Sequence, residues 1–282
     1  MIIDHSLVSP EDIKAAVEVA INSQYTDLAS LTILVFDWML TFPSEVELVW
    51  GSKWSAMTIL YFLTRYIPFV YLPANTRYIF NEGFTLSECK MLYSTVSSLF
   101  WIGILFAQLI LTIRTWVIWG KSKKLAYWLF GLYGSVCIII VTLSTFHLEG
   151  TLHGPGETYS NSCDATTQKS SRCLGAALTI LAAYETVILT LIVVRGLSSH
   201  WPMGRSRLVK TIYCDGIRFY IYLFALGITN LVLIFRLPEY MTISLMLEGA
   251  CYSVLSCRVI LHIRQEFEET LEVDSEGAIL GY

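Results

Sequence analysis

Residues 25–71 read YTDLASLTILVFDWMLTFPSEVELVWGSKWSAMTILYFLTRYIPFVY. Two apolar runs are joined here by a short turn containing proline and tryptophan. Each run carries a charge where a membrane would not welcome one, Asp37 in the first and Arg65 in the second. A charged side chain near the centre of a bilayer costs at least about 2.5–3.5 kcal/mol, so such residues face a partner or a water-filled space.

Working outward, runs of about 18 or more largely apolar residues are long enough to cross a bilayer as helices. Seven occur, at about 22–42, 54–73, 91–119, 125–146, 173–195, 217–236 and 239–262. The expected fold is an all-α integral membrane protein, a seven-transmembrane-helix bundle. The third run is the longest and is expected to tilt or to extend beyond the bilayer. Charged residues make up 15% of the chain, against about a quarter in soluble domains, and the mean hydropathy is +0.57. Lipid is therefore the expected solvent and partner. A net charge of −4 with no long basic run leaves no electrostatic footprint for nucleic acid.

The first 24 residues show no basic segment followed by an apolar core, so no cleavable signal peptide is expected. The first span then serves as its own membrane signal, for the plasma membrane or another secretory-pathway membrane. Lys and Arg near span ends set the orientation. With the N-terminus outside, the inner side holds Lys53, Arg114, Lys121, Lys123, Lys124, Arg195, Arg205, Arg207, Lys210, Arg218, Arg258 and Arg264. The outer side holds Lys14, Arg77, Lys90, Lys169, Arg172 and Arg236. The asymmetry places the C-terminus in the cytosol. Three regions follow: an outer segment over 1–24 with a short amphipathic helix (Ser9 as N-cap, Pro10 at the first turn), a seven-helix domain over 25–264, and an acidic disordered cytosolic tail over 265–282.

Asp37 lies about 8 Å and Arg65 about 16 Å from the inner ends of their spans, at 1.5 Å per residue. The offset strains a direct salt bridge, and a water or a tyrosine (Tyr61, Tyr66) is an alternative bridge. The pair reads as a clamp between helices or as a ligand or ion site. Glu185 and Glu248 sit near mid-membrane, where a carboxyl group is neutral or paired. Both a proton or cation relay and ordinary interhelical bonding fit them, and Gln108 and Asn230 read as interhelical hydrogen-bond residues. Arg114, flanked by Trp116 and Trp119, reads as a side chain snorkelling to the headgroups or as an inner-face switch.

Cys89 and the 147–172 loop, with Cys163 and then Cys173 at its end, face an oxidising compartment in this orientation. A disulfide from Cys89 to that loop is expected, at Cys163 with Cys173 as the alternative. Cys137, Cys251 and Cys257 read as packing residues. The remaining spacings give no zinc motif, no metal site and no cofactor motif.

Tyr25, Asp37, Leu40-Thr41, Glu45-Val46, Trp50, Trp54-Ser55 and Arg65-Tyr66 together resemble a fungal, mainly basidiomycete, family of multi-pass membrane proteins labelled domain of unknown function 6533. Arg114-Thr115 beside aromatics also looks like that family's third span. This chain departs at Thr58, where the family often has Lys, and at Thr64, where it often has Asn. The resemblance implies a multi-span membrane protein and supplies no catalytic residues. Seven spans, an outer Cys89, a loop Cys163 and an inner Arg114 are also arranged as in rhodopsin-like receptors. No acidic residue precedes Arg114, however, the sixth span lacks proline and the seventh lacks Asn-Pro-x-x-Tyr, so this likeness is one of architecture.

The expected function is a receptor-like sensor with an outer pocket and a cytosolic signalling partner at the basic inner loops. The alternative is a transporter or channel using Asp37, Arg65, Glu185 and Glu248, although inverted repeats and broken helices are not evident. An intramembrane enzyme ranks last, because the five histidines are scattered where metal hydrolases need them clustered. A retinal pump is excluded, since no span holds a lysine away from its ends.

Overall fold

The computed structural model describes residues 10–80, 85–152, 168–197, 207–236 and 241–279, and no strand occurs among them. The elements are α1 (Pro10–Glu45), a π-helical turn (Val46–Trp50), α2 (Ala56–Tyr66), α3 (Pro68–Phe80), α4 (Leu86–Ile118), α5 (Lys123–Leu152), α6 (Gln168–Leu197), α7 (Arg207–Arg236) and α8 (Met241–Ile279). The second apolar run is divided between α2 and α3. Pro68 lacks a backbone N–H and its ring crowds the preceding turn, which breaks the helix there.

The helices close into a ring. α1 packs on α3 and α8, α2 and α3 pack on α4, and α4, α5, α6, α7 and α8 follow as successive neighbours. α4 also touches α6 and α8, so it runs through the middle. The core along it includes Tyr71, Phe100, Ile104, Leu181 and Tyr252. A second cluster, with Leu48, Val49, Tyr61, Ile110 and Ile260, fills the end that carries the α1–α2 turn; this end is called the base below.

Four helices are long and apolar enough to cross a membrane, within Ser87–Ile118, Lys123–Glu149, Arg172–Arg195 and Ser244–Glu268, and Tyr220–Leu233 is a shorter apolar stretch. Only 17% of the apolar window of α5 is buried inside the protein, against 44–67% for the other three. That helix therefore offers most of its side chains, Trp128, Ile138 and Phe146 among them, outward. α1 falls short of the four because Asp27 and Asp37 interrupt its apolar run, and α2 and α3 because the break leaves two short pieces of 11 and 13 residues.

Two expectations are corrected at the ends of the chain. The N-terminal helix is not separate: α1 runs unbroken from Pro10 through the first apolar run, since Asn22-Ser23-Gln24 contains no helix breaker. The acidic segment after Arg264 is not disordered as far as Ile279, because α8 carries through it. Extending an existing helix avoids the nucleation cost, Glu and Leu are good helix formers, and His262 lies 4.0 Å from Glu266 one turn on.

The α4–α5 turn is tight. Gly120 (φ 69°) and Lys121 (φ 57°) both take the left-handed conformation, and Lys121 N–H bonds back to Trp116 C=O at 3.2 Å, as in a helix-terminating motif. At the junction of α3, α4 and α8, Gly249 is hemmed in. A Cβ there would meet the Tyr71 hydroxyl and lie 3.0 Å from Phe100 Cε2. Gly249→Ala should therefore destabilise the protein by about 1–3 kcal/mol. Adding Tyr71→Phe, which removes the nearest atom, should recover part of the loss in thermal melts of the purified protein.

Candidate functional site

The base of the bundle is organised by Arg65, which is fully buried. Its Nη1 donates to Asp37 Oδ2 at 2.7 Å, its Nη2 donates to Thr41 Oγ1, and its Nε stands 3.4 Å from Glu45 Oε2. Asp37, Thr41 and Glu45 are spaced four apart on α1, so one helix face presents all three. A second cation completes the group: Arg258 Nε on α8 donates to Asp37 Oδ1 at 2.5 Å. Two arginines thus oppose two carboxylates, and the cluster joins α1, α2 and α8 with no net charge.

Asp37 and Arg65 pair directly, and the expected offset in their depth is corrected. α1 does not end near residue 42; it continues to Glu45 and then into the π-helical turn. Asp37 is therefore about 12 Å above the end of α1, and Arg65 about 14 Å above the start of α2, at 1.5 Å per residue. No bridging water or tyrosine is needed. The tyrosines bind Glu45 instead: Tyr61 OH donates to Oε2 at 3.1 Å and Tyr66 OH to Oε1 at 2.7 Å. Trp50 Nε1 also donates to Glu45 Oε1, at 3.2 Å. That contact spans five residues, the repeat of a π-helix, so the wide turn returns Trp50 over Glu45.

Arg264 secures the same turn from α8. It donates to Leu48 C=O at 2.8 Å, Ser52 Oγ at 2.9 Å and Thr58 Oγ1 at 2.8 Å. Ser55 caps α2 by accepting from Thr58 N–H at 3.3 Å. A lysine at position 58 would confront the Arg264 guanidinium, so Thr58 and Arg264 suit each other.

A second polar cluster occupies the middle of the ring. Gln108 Nε2 on α4 donates to Glu185 Oε1 on α6 at 2.8 Å and to Tyr252 OH on α8 at 3.1 Å. Asn230 Nδ2 on α7 donates to Glu248 Oε2 on α8. Among the described residues neither carboxylate forms a salt bridge, and no group of three or more His, Cys, Asp or Glu is placed to hold a metal ion. Toward the base, the same face of α4 carries Thr112 and Thr115. Thr112 Oγ1 is 2.6 Å from Tyr184 OH on α6, and Thr115 Oγ1 is 3.2 Å from Tyr220 OH on α7. Tyr220 OH also donates to Leu111 C=O at 2.7 Å.

Arg114 does not snorkel outward; it is 7% exposed and close enough to Tyr220 on α7 to act on it electrostatically. The flanking tryptophans close the base instead. Trp116 Nε1 donates to Ser122 C=O and Trp119 Nε1 to Leu191 C=O, each at 3.2 Å, and the Arg195 guanidinium lies 5.5 Å from the Trp119 ring centre. Cys89 is disulfide-bonded, whereas Cys173 is a free thiol, which removes the alternative partner. Cys163, the expected partner, and most of the loop expected to cap an outer pocket lie outside the described residues.

The matched stretch coincides with the base cluster. Residues 25–70 match the family of unknown function DUF6533. No curated protein and no solved structure matches the chain. Of the residues at the base, Asp37, Thr41, Glu45, Trp50, Tyr61, Arg65 and Tyr66 fall inside the DUF6533 stretch, and Arg258 and Arg264 fall outside it. The stretch is therefore a structural unit that requires α8 to complete its charge balance.

The geometry decides which second change should compensate for the loss of Arg65. Arg65→Met leaves Glu45 without a cation while Asp37 keeps Arg258. The single change should cost about 3–5 kcal/mol, as removal of one partner from a buried ion pair does. Adding Glu45→Gln leaves the neutral Asp37–Arg258 pair and should recover more melting temperature than adding Asp37→Asn, which strands Glu45 and Arg258. Equal recovery by the two second changes would contradict the assignment.

Proposed function

We propose that the protein is a seven-span, receptor-like sensor of the plasma membrane or another secretory-pathway membrane, with its N-terminus outside and its C-terminus in the cytosol, and we assign it no catalytic role. One observation carries the reading. α4 presents Gln108, Thr112 and Thr115 along a single face, and these residues bond to α6, α7 and α8 through Glu185, Tyr184, Tyr220 and Tyr252. A shift of α6 or α7 against α4 exchanges these bonds in sequence from the middle of the bundle to its base. Such discrete repacking between helices is the usual material of a two-state switch. The basic turn at Lys121–Lys124 lies at the end of this face, where a cytosolic signalling partner would bind. The transporter or channel reading is weaker, because Asp37 and Arg65 neutralise each other at the base and only Glu185 and Glu248 remain for transport.

The orientation is tested by reporter fusions after residue 24 and after Tyr282. A lumenal signal from the C-terminal fusion would overturn it. The switch is tested with spin labels at Val117 on α4 and Val194 on α6, both exposed near the base, with the full chain in lipid nanodiscs. Two separations are expected, with Tyr220→Phe enriching the longer one. A single separation, unchanged by Tyr220→Phe, would contradict the sensor reading.

A further inference from the structure

Glu185 on α6 is 6% exposed, and its two oxygens face different helices. Oε1 accepts from Gln108 Nε2 on α4 at 2.8 Å. Oε2 lies toward α7, where a Cβ built on Gly227 would be 2.9 Å from it, and it is buried with no hydrogen-bond partner. A cavity of about 10 Å3 adjoins Glu185 between the same three helices, walled by Gln108 and Leu111 of α4, Glu185 and Ile188 of α6, and Tyr220 and Leu223 of α7. Gln108 uses both amide N–H groups, on Glu185 and on Tyr252, so its carbonyl oxygen remains as an acceptor. Tyr220 gives its proton to Leu111 C=O at 2.7 Å, and Thr115 gives its own to the same carbonyl at 2.9 Å. The Tyr220 oxygen therefore also keeps acceptor capacity.

An ionised carboxyl group here would have one amide donor and no salt bridge among the described residues. The charged group that acts on it electrostatically is a second acid, Glu248. Such surroundings favour the neutral acid. Because Oε1 is the acceptor, the proton sits on Oε2, and a buried O–H donor needs an acceptor of its own. A cavity of roughly 10–15 Å3 is the least that holds one water, and that water needs about two to four polar partners; Glu185, Gln108 and Tyr220 supply them. We propose that Glu185 is a proton-binding site, the neutral acid donating from Oε2 to a single water in this cavity, with the water donating in turn to the Tyr220 and Gln108 oxygens. The water then links Gln108 and Glu185 in the middle of the ring to Tyr220 and Thr115 nearer the base. The site goes beyond the sensor reading and does not depend on it, since protonation is read whether or not the helices shift.

The experiment is infrared spectroscopy of the full chain in lipid nanodiscs at neutral pH. The wild type should show a carboxylic acid C=O stretch that moves to lower frequency in D2O and is lost in Glu185→Gln. The Gln amide donates where the acid O–H did, so this variant should fold. If it does not, Glu185→Asp should shift the same band. The water is read through a residue that Glu185 does not bond directly. Tyr220→Phe removes one acceptor of the water and should move the Glu185 band. Thr115→Val alters the same α4–α7 contact outside the cavity walls and should leave the band in place. A wild-type spectrum with no acid band that responds to Glu185→Gln or Glu185→Asp would overturn the proposal. So would a Glu185 band unmoved by Tyr220→Phe, or moved equally by Thr115→Val.

Discussion

A guanidinium placed in an apolar bundle with no access to solvent must meet opposite charge inside the protein, and Arg65 imposes that condition on everything around it. One carboxylate is not sufficient, because the planar fork offers several donors. Arg65 takes Asp37, Thr41 and Glu45 from a single face of α1. Two carboxylates then exceed one cation, and Arg258 restores the balance from α8. The shape of the base follows from this accounting. α1 must extend to Glu45, the chain must turn widely enough to return Trp50 over that carboxylate, and α8 must lie alongside α1 although almost the whole chain separates them.

The base and the middle of the ring are chemically different. At the base, opposite charges are matched and every member braces a helix. In the middle, Glu185 and Glu248 each accept from an amide, and neither forms a salt bridge among the described residues. A matched cluster resists change because losing any partner strands a buried charge. A cluster of neutral donors and acceptors can exchange partners at smaller cost, since a typical hydrogen bond contributes only about 0.5–1.5 kcal/mol net. The α4 face that links Gln108 to Thr115 passes from one region to the other and ends at the basic turn. Rigid base and exchangeable middle are the division of labour on which the proposed sensor function rests.

Much of the architecture was legible in the sequence because length and apolarity decide helices in a membrane. Each of the seven runs lies largely in helix among the described residues, with the second divided between α2 and α3 at Pro68, and four of the helices are long and apolar enough to cross a membrane. Asp37 and Arg65 stood out as charges in apolar runs, and Gln108, Glu185 and Glu248 as polar residues deep within spans. Glu45, Arg258 and Arg264 were not recognised as partners. Glu45 looked like a turn residue because a π-helical turn cannot be told from a loop by its hydropathy, and Pro43 just before it suggested that the helix had stopped. Arg258 and Arg264 read as basic residues near a span end, and their targets lie more than 200 positions away, beyond any local pattern. A signal for the Arg258 contact was present, since the two acids at Asp37 and Glu45 exceed the one arginine at Arg65 within the opening stretch.

The central claim is that the charges at the base make α1, α2 and α8 a single cooperative unit. Hydrogen exchange measured by mass spectrometry on the wild type and on Arg65→Met, both in lipid nanodiscs, tests it most directly. Cooperative units open and close together and show common protection. Backbone amides around Asp37–Trp50, Tyr61–Tyr66 and Ser253–Arg264 should lose protection together in the variant, while those of α5 keep theirs. Loss confined to α2, with the amides of α1 and α8 unchanged, would contradict the claim.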